Sequence, residues 1–105
     1  MTYKVEFSPA AQADLERLFD FALAREMNSE TGDFDIPDRA IQAIRVGLNF
    51  LTHSPFACRK AGTNPFLREP VISFGAAGYV ALFEIVDHST VLVGAVRHQL
   101  EDDYH

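Results

Sequence analysis

Two runs near the C-terminal end, Tyr79 to Val86 and Val91 to Val96, carry apolar, β-branched and aromatic residues at odd and even positions alike. Strands of that composition have no side to give to water, so both faces need cover and both strands belong in the middle of a sheet. Asp87-His88-Ser89-Thr90 between them is a hairpin connection, and Gly75-Ala76-Ala77-Gly78 is a second one leading back to Phe66–Phe74. That earlier run contains Pro70, which lacks a backbone N–H, so the strand is bulged there or lies at an edge.

The cover comes from the first half. Lys4-Val5-Glu6-Phe7 alternates as a short strand, and Ser8-Pro9 then supplies an N-cap and a proline at the first helical position. Ala11, Leu15, Leu18, Phe19 and Ala22 recur at helical spacing and make one apolar stripe, with Phe21 at its rim. Polar residues 28–33 close this helix, and Asp35-Ile36-Pro37-Asp38 opens another, with Asp35 as the expected cap. On the second helix Ile41, Ile44, Leu48 and Leu51 form one face, while Ala43, Val46 and Phe50 form another on the far side. Either the two faces meet the sheet and the first helix, or part of the second face awaits a partner protein. The expected fold is α+β in the order βααβββ. A helical hairpin (about 8–54) packs on a twisted, mainly antiparallel sheet whose meander spans about 66–97, and a short acidic tail follows at 98–105.

A chain of 105 residues suits one such domain, and 48% hydrophobic with 23% charged residues is ordinary globular composition with no membrane-length apolar run. Met1-Thr2-Tyr3-Lys4-Val5 lacks the apolar stretch of a secretory signal, so the expected location is cytoplasmic. The lone Cys58 excludes an intrachain disulfide and a Cys-rich zinc site, although the adjacent Arg59-Lys60 could depress its pKa. The net charge of −6 argues against strong direct binding to nucleic acid. Residues 59–97, with four basic and three acidic side chains, are the part that is not acidic. Their cations, Arg59, Lys60, Arg68 and Arg97, and the neighbouring His98 come from points that a meander can bring to one surface, where they would hold a phosphate or carboxylate. The competing reading is solvated charges with local ion pairs.

The C-terminal residues offer a cation, an imidazole and a phenol. A phosphodiester-cleaving site could use Arg97 to hold phosphate and His98 or Tyr104 to move protons. His98, Asp102 and His105 have no helical spacing that would make them a metal cage, and no cofactor is expected.

Phe7-Ser8-Pro9-Ala10-Ala11 with Asp14-Leu15, Pro55, Arg59-Lys60, Leu67-Arg68-Glu69, Phe74-Gly75 with Gly78-Tyr79, and Val96-Arg97-His98-Gln99 resemble, in order and spacing, the ParE/RelE superfamily of toxins from bacterial type II toxin–antitoxin modules. The resemblance spans nearly the whole chain. It implies a cognate ParD-like antitoxin that wraps the toxin with an amphipathic helix and an extended segment, in a hetero-oligomer. It also implies one of two targets: DNA gyrase, poisoned without catalysis by ParE-like members, or mRNA in the ribosomal A site, cut by RelE-like members with a dense basic cluster. The acidic composition here favours the ParE-like branch. The alternatives are the ribosome-dependent endoribonuclease and a non-toxic relative that only binds antitoxin. On the favoured reading no residue is catalytic. The target contacts are Arg59, Lys60, Arg68, Arg97 and His98, and the antitoxin contacts are Phe21, Ala43, Val46, Phe50, Arg68 and Arg97.

Overall fold

The computed structural model describes residues 2–75 and 77–100. In chain order the elements are β1 (Lys4–Phe7), α1 (Pro9–Met27), α2 (Ile36–Asn49), β2 (Arg59–Lys60), β3 (Leu67–Glu69), β4 (Val71–Phe74), β5 (Ala77–Asp87) and β6 (Thr90–His98), with short 3₁₀ turns at Phe50–Thr52 and Pro55–Ala57. The sheet runs β1-β6-β5-β3-β2, and β4 also pairs with β5. Only β1 and β6 are parallel among these pairs. This is the α+β arrangement expected, with the two doubly apolar strands in the middle.

Pro70 has the effect its chemistry demands. The Phe66–Phe74 run is split into β3 and β4, both antiparallel to β5, and the Pro70 carbonyl still accepts from the Ala81 N–H at 3.3 Å. One element was read differently from the sequence: Arg59–Lys60 lies in what looked like a loop, yet it pairs with Arg68 and Glu69 as β2. Two polar residues carry no alternation to announce a strand, so partner geometry decides. The hairpin loops are also tighter than four residues. Phe74 faces Ala77 and Asp87 faces Thr90, leaving two residues in each turn. Gly75 takes φ +63°, a conformation that favours glycine.

Ser8 caps α1 as expected, its hydroxyl accepting from the Ala11 N–H at 3.1 Å. Asp35 does not cap α2 with its side chain. Its backbone is already helical, and its own N–H donates instead to the Asp33 carboxylate at 2.9 Å, which also holds Arg39 at 3.1 Å.

The core lies between the sheet and the hairpin. Ala11, Leu15 and Leu18 of α1 and Ala40, Ile44 and Leu48 of α2 meet Ala81, Phe83 and Ile85 of β5 and Val91, Val93 and Val96 of β6. Along β6 the core-facing positions shift from Val91 and Val93 to Val96 because Leu82 faces Ala95 while Phe83 faces Val93, making Gly94 an extra residue in a β-bulge. The β1 strand ends at Phe7, opposite Val93, so the outer edge of β6 beyond that point has lost its partner strand. Side chains of α1 take over. The Ser8 hydroxyl donates to the Gly94 carbonyl at 3.2 Å, the Asp14 carboxylate accepts from the Val96 N–H at 2.9 Å, and Arg17 donates to the Val96 carbonyl at 3.4 Å. Asp14, 4% exposed, sits within the apolar stripe for this purpose. No helix among the described residues is long and apolar enough to cross a membrane.

Candidate functional site

Cross-strand partners share a face, and successive residues of a strand alternate. Tyr79, Ala81, Phe83 and Ile85 belong to the core, so they define the helix side of the sheet. His98 faces Tyr79, Arg68 faces Phe83 and Lys60 faces Arg68, which puts these three on the helix side. Arg97 faces Val80, and Arg59 faces Glu69, which places both on the open side. The single basic surface anticipated from the sequence is therefore divided across the sheet. Period two separates the adjacent Arg97 and His98 by construction.

The cations also differ in how they are held. Arg68 is a clamp: its Nε donates to the Pro65 carbonyl at 2.8 Å and its Nη1 to the Phe56 and Cys58 carbonyls at 2.9 and 2.8 Å. Its guanidinium carbon lies 5.1 Å from the centroid of the Phe56 ring, so stacking adds to the tie. Arg59 pairs with Glu69 at 3.0 Å on the sheet surface, while Lys60 is exposed. Arg97 is half-buried and its Nη1 reaches the His98 carbonyl at 3.3 Å. The Cys58 thiol is pushed up by burial, against a smaller opposing pull from Arg68. The activation that its basic neighbours suggested is thus reversed, because the side chain points into the core.

His98 is half-buried, with its ring edge-on to Tyr79 at 5.5 Å between centroids. Its Nδ1 accepts from the Leu100 N–H at 3.1 Å, which leaves Nε2 as the donor of the ring. Tyr104, Asp102 and His105 lie outside the described residues, and no group of three metal-ligating side chains occurs among the described ones.

On α2 the question of the second face is answered in favour of exposure. Val46 is 71% and Phe50 51% exposed, while Ala43 is half-buried. One stripe, Ala40, Ile44, Leu48 and then Leu51, serves both the sheet and α1. Gly47 is where α2 approaches β4, and a Cβ there would stand 2.8 Å from the Ile72 side chain. Phe21, 62% exposed, is elsewhere, in a pocket shared with Arg25, His98 and Leu100. Asp14, Arg25 and Tyr79 were not picked out as site residues from the sequence. For Asp14 the signal was present, since a carboxylate one turn from Ala11 and beside Leu15 falls on the apolar stripe.

The sequence model of the family described as ParE toxin of type II toxin-antitoxin system, parDE, matches residues 5–103. The protein named Toxin RelE3 from Caulobacter vibrioides is 34% identical over 98 residues, covering 92% of this chain and 95% of its own length. A solved structure described as the chromosomal ParDE TA system from P. aeruginosa shares the fold, with a TM-score of 0.68 over 92% of this chain and 96% of that one at 14% identity. A helical hairpin whose first helix stitches the last strand's edge, and a family match that runs from β1 past β6, together establish that this chain belongs to the ParE toxin family of type II toxin–antitoxin systems.

Proposed function

We propose that this toxin acts by contacting protein, with DNA gyrase as its target and without catalysis, and that a ParD-like antitoxin neutralises it in a hetero-oligomer. The observation that carries the reading is that Arg97, the cation a nuclease reading would put on the phosphate, lies on the opposite side of the sheet from His98. Cleaving a phosphodiester requires a cation on the phosphate and a proton-transfer group within reach of the same atoms. Arg97 on a rigid strand is better suited to a fixed contact with a carboxylate or phosphate of a partner. Arg59 shares its side, while the clamp made by Arg68 supports the loop that carries Phe56.

The antitoxin contact draws on exposed apolar side chains. Val46 and Phe50, flanked by Ala43, suit an amphipathic helix lying along α2. Phe21 offers a second anchor on α1, and Arg68 and Arg97 remain candidate partners for antitoxin carboxylates. The alternative reading, a ribosome-dependent mRNA endoribonuclease, draws on the RelE name of the Caulobacter relative. Inducing the toxin alone in bacteria separates the two. Filamentation with a DNA-damage response and intact mRNA supports the gyrase reading, prompt translation arrest with cut mRNA supports the nuclease, and normal growth points to a non-toxic antitoxin binder.

A further inference from the structure

Tyr79 is 6% exposed as a whole, but its hydroxyl is not an occluded atom lacking a partner, and the oxygen stays open to solvent. The ring is fixed between Phe74, 6.4 Å away by centroids, and His98 at 5.5 Å. It lines a pocket of about 260 Å³ together with Arg25, Ile36 and His98. Burial raises the Tyr79 pKa and the positive charge of Arg25 opposes that rise, so the guanidinium acts on the phenol. Arg25 is held only loosely from its other side, its Nε standing 3.7 Å from a Glu26 carboxylate that also accepts from the Asp33 N–H.

Three donor-bearing side chains thus line one pocket: the Arg25 guanidinium, the Tyr79 phenol and the His98 imidazole. An anion is the ligand that accepts from all three. The surroundings narrow the kind of anion. Ile36 and Phe74 form apolar walls, and the pocket adjoins a second one of about 300 Å³ that shares Arg25 and His98 and is flanked by Phe21 and Leu100. One cation among apolar surfaces, on a chain of net charge −6, fits a single carboxylate set between apolar residues and repels the dense charge of a nucleic acid. We propose that the Arg25–Tyr79–His98 pocket receives an Asp or Glu side chain of the antitoxin, whose neighbouring apolar residues cover Phe21 and Leu100. This rests on the neutralisation reading above and adds to it a site separate from the Val46 and Phe50 face.

The test uses Tyr79→Phe, which removes only the phenol oxygen, and Arg25→Gln, with the polypeptide encoded beside the toxin as the probe. Binding by calorimetry should weaken roughly 10-fold for Tyr79→Phe and roughly 10–100-fold for Arg25→Gln, the range for hydrogen bonds to a charged group. The thermal midpoint of the free Tyr79→Phe toxin should stay at the wild-type value or rise, which a purely structural role for the hydroxyl would not allow. The double variant should lose less than the sum, because both groups serve one carboxylate. If the wild type binds and both variants bind equally well, the pocket assignment is wrong and neutralisation stands. If the wild type itself fails to bind, both fall. An RNA oligonucleotide that binds the wild type and is lost in Tyr79→Phe would overturn the carboxylate in favour of phosphate.

Discussion

Replacing Asp14 by alanine tests the idea that α1 acts as the missing edge strand of the sheet. The substitution removes the acceptor of the Val96 N–H, a 2.9 Å bond between two buried residues. Stranding one such donor costs about 1–3 kcal/mol. The Asp14–Arg17 pair, 3.8 Å long with Arg17 nearly half exposed, adds no more than about 1 kcal/mol because solvent screens it. The expected total is about 2–3 kcal/mol, a fall in thermal midpoint on the order of 10 °C for a domain of this size. Asp14→Asn keeps an oxygen in the same place and should cost about 1 kcal/mol or less. Urea unfolding with an unchanged slope gives the energies, and amide exchange at Val96 should accelerate more than at Val91 in the alanine variant. Equal losses for alanine and asparagine, or an alanine variant within about 0.5 kcal/mol of wild type, would refute the edge-capping argument.

Phe50→Ala should cost about 1 kcal/mol or less, well below the 3–5 kcal/mol of a core phenylalanine, because half of the ring already meets solvent. Phe50→Asp should stay folded while losing antitoxin affinity in a pull-down or calorimetric titration. Gly78→Ala should destabilise the β4–β5 hairpin by about 1–3 kcal/mol in urea unfolding, since the new Cβ would stand 2.3 Å from the Ile72 carbonyl oxygen. In a growth assay Arg97→Ala should be non-toxic and His98→Ala at least partly toxic. The reverse, with RNA cleavage lost together with His98, would favour the nuclease.

The central hairpin was legible because Tyr79–Val86 and Val91–Val96 are apolar on both faces, a pattern with few solutions other than the middle of a covered sheet. Pro70 could be read as an interruption for the same local reason: a missing N–H. That Asp35 would not cap α2 with its side chain could not be read, because only the backbone angles decide which oxygen reaches an amide. Arg59–Lys60 becomes a strand only because Glu69 and Arg68 lie opposite. The exposed second face of α2 was visible as a pattern, but its fate depended on a tertiary fact, that one stripe suffices to meet both the sheet and α1. The basic surface failed for a reason already in the sequence, since residues 97 and 98 on one strand must point apart. The Arg25–Tyr79–His98 pocket joins α1, β5 and β6, and no spacing along the chain announces it.

The most direct measurement exposes purified toxin, in parallel, to DNA gyrase acting on relaxed plasmid and to translating ribosomes carrying a defined mRNA. The account predicts that supercoiling by gyrase stops, that prior addition of antitoxin restores it, and that the mRNA stays whole. Unimpaired gyrase together with mRNA cut in the ribosomal A site would contradict it.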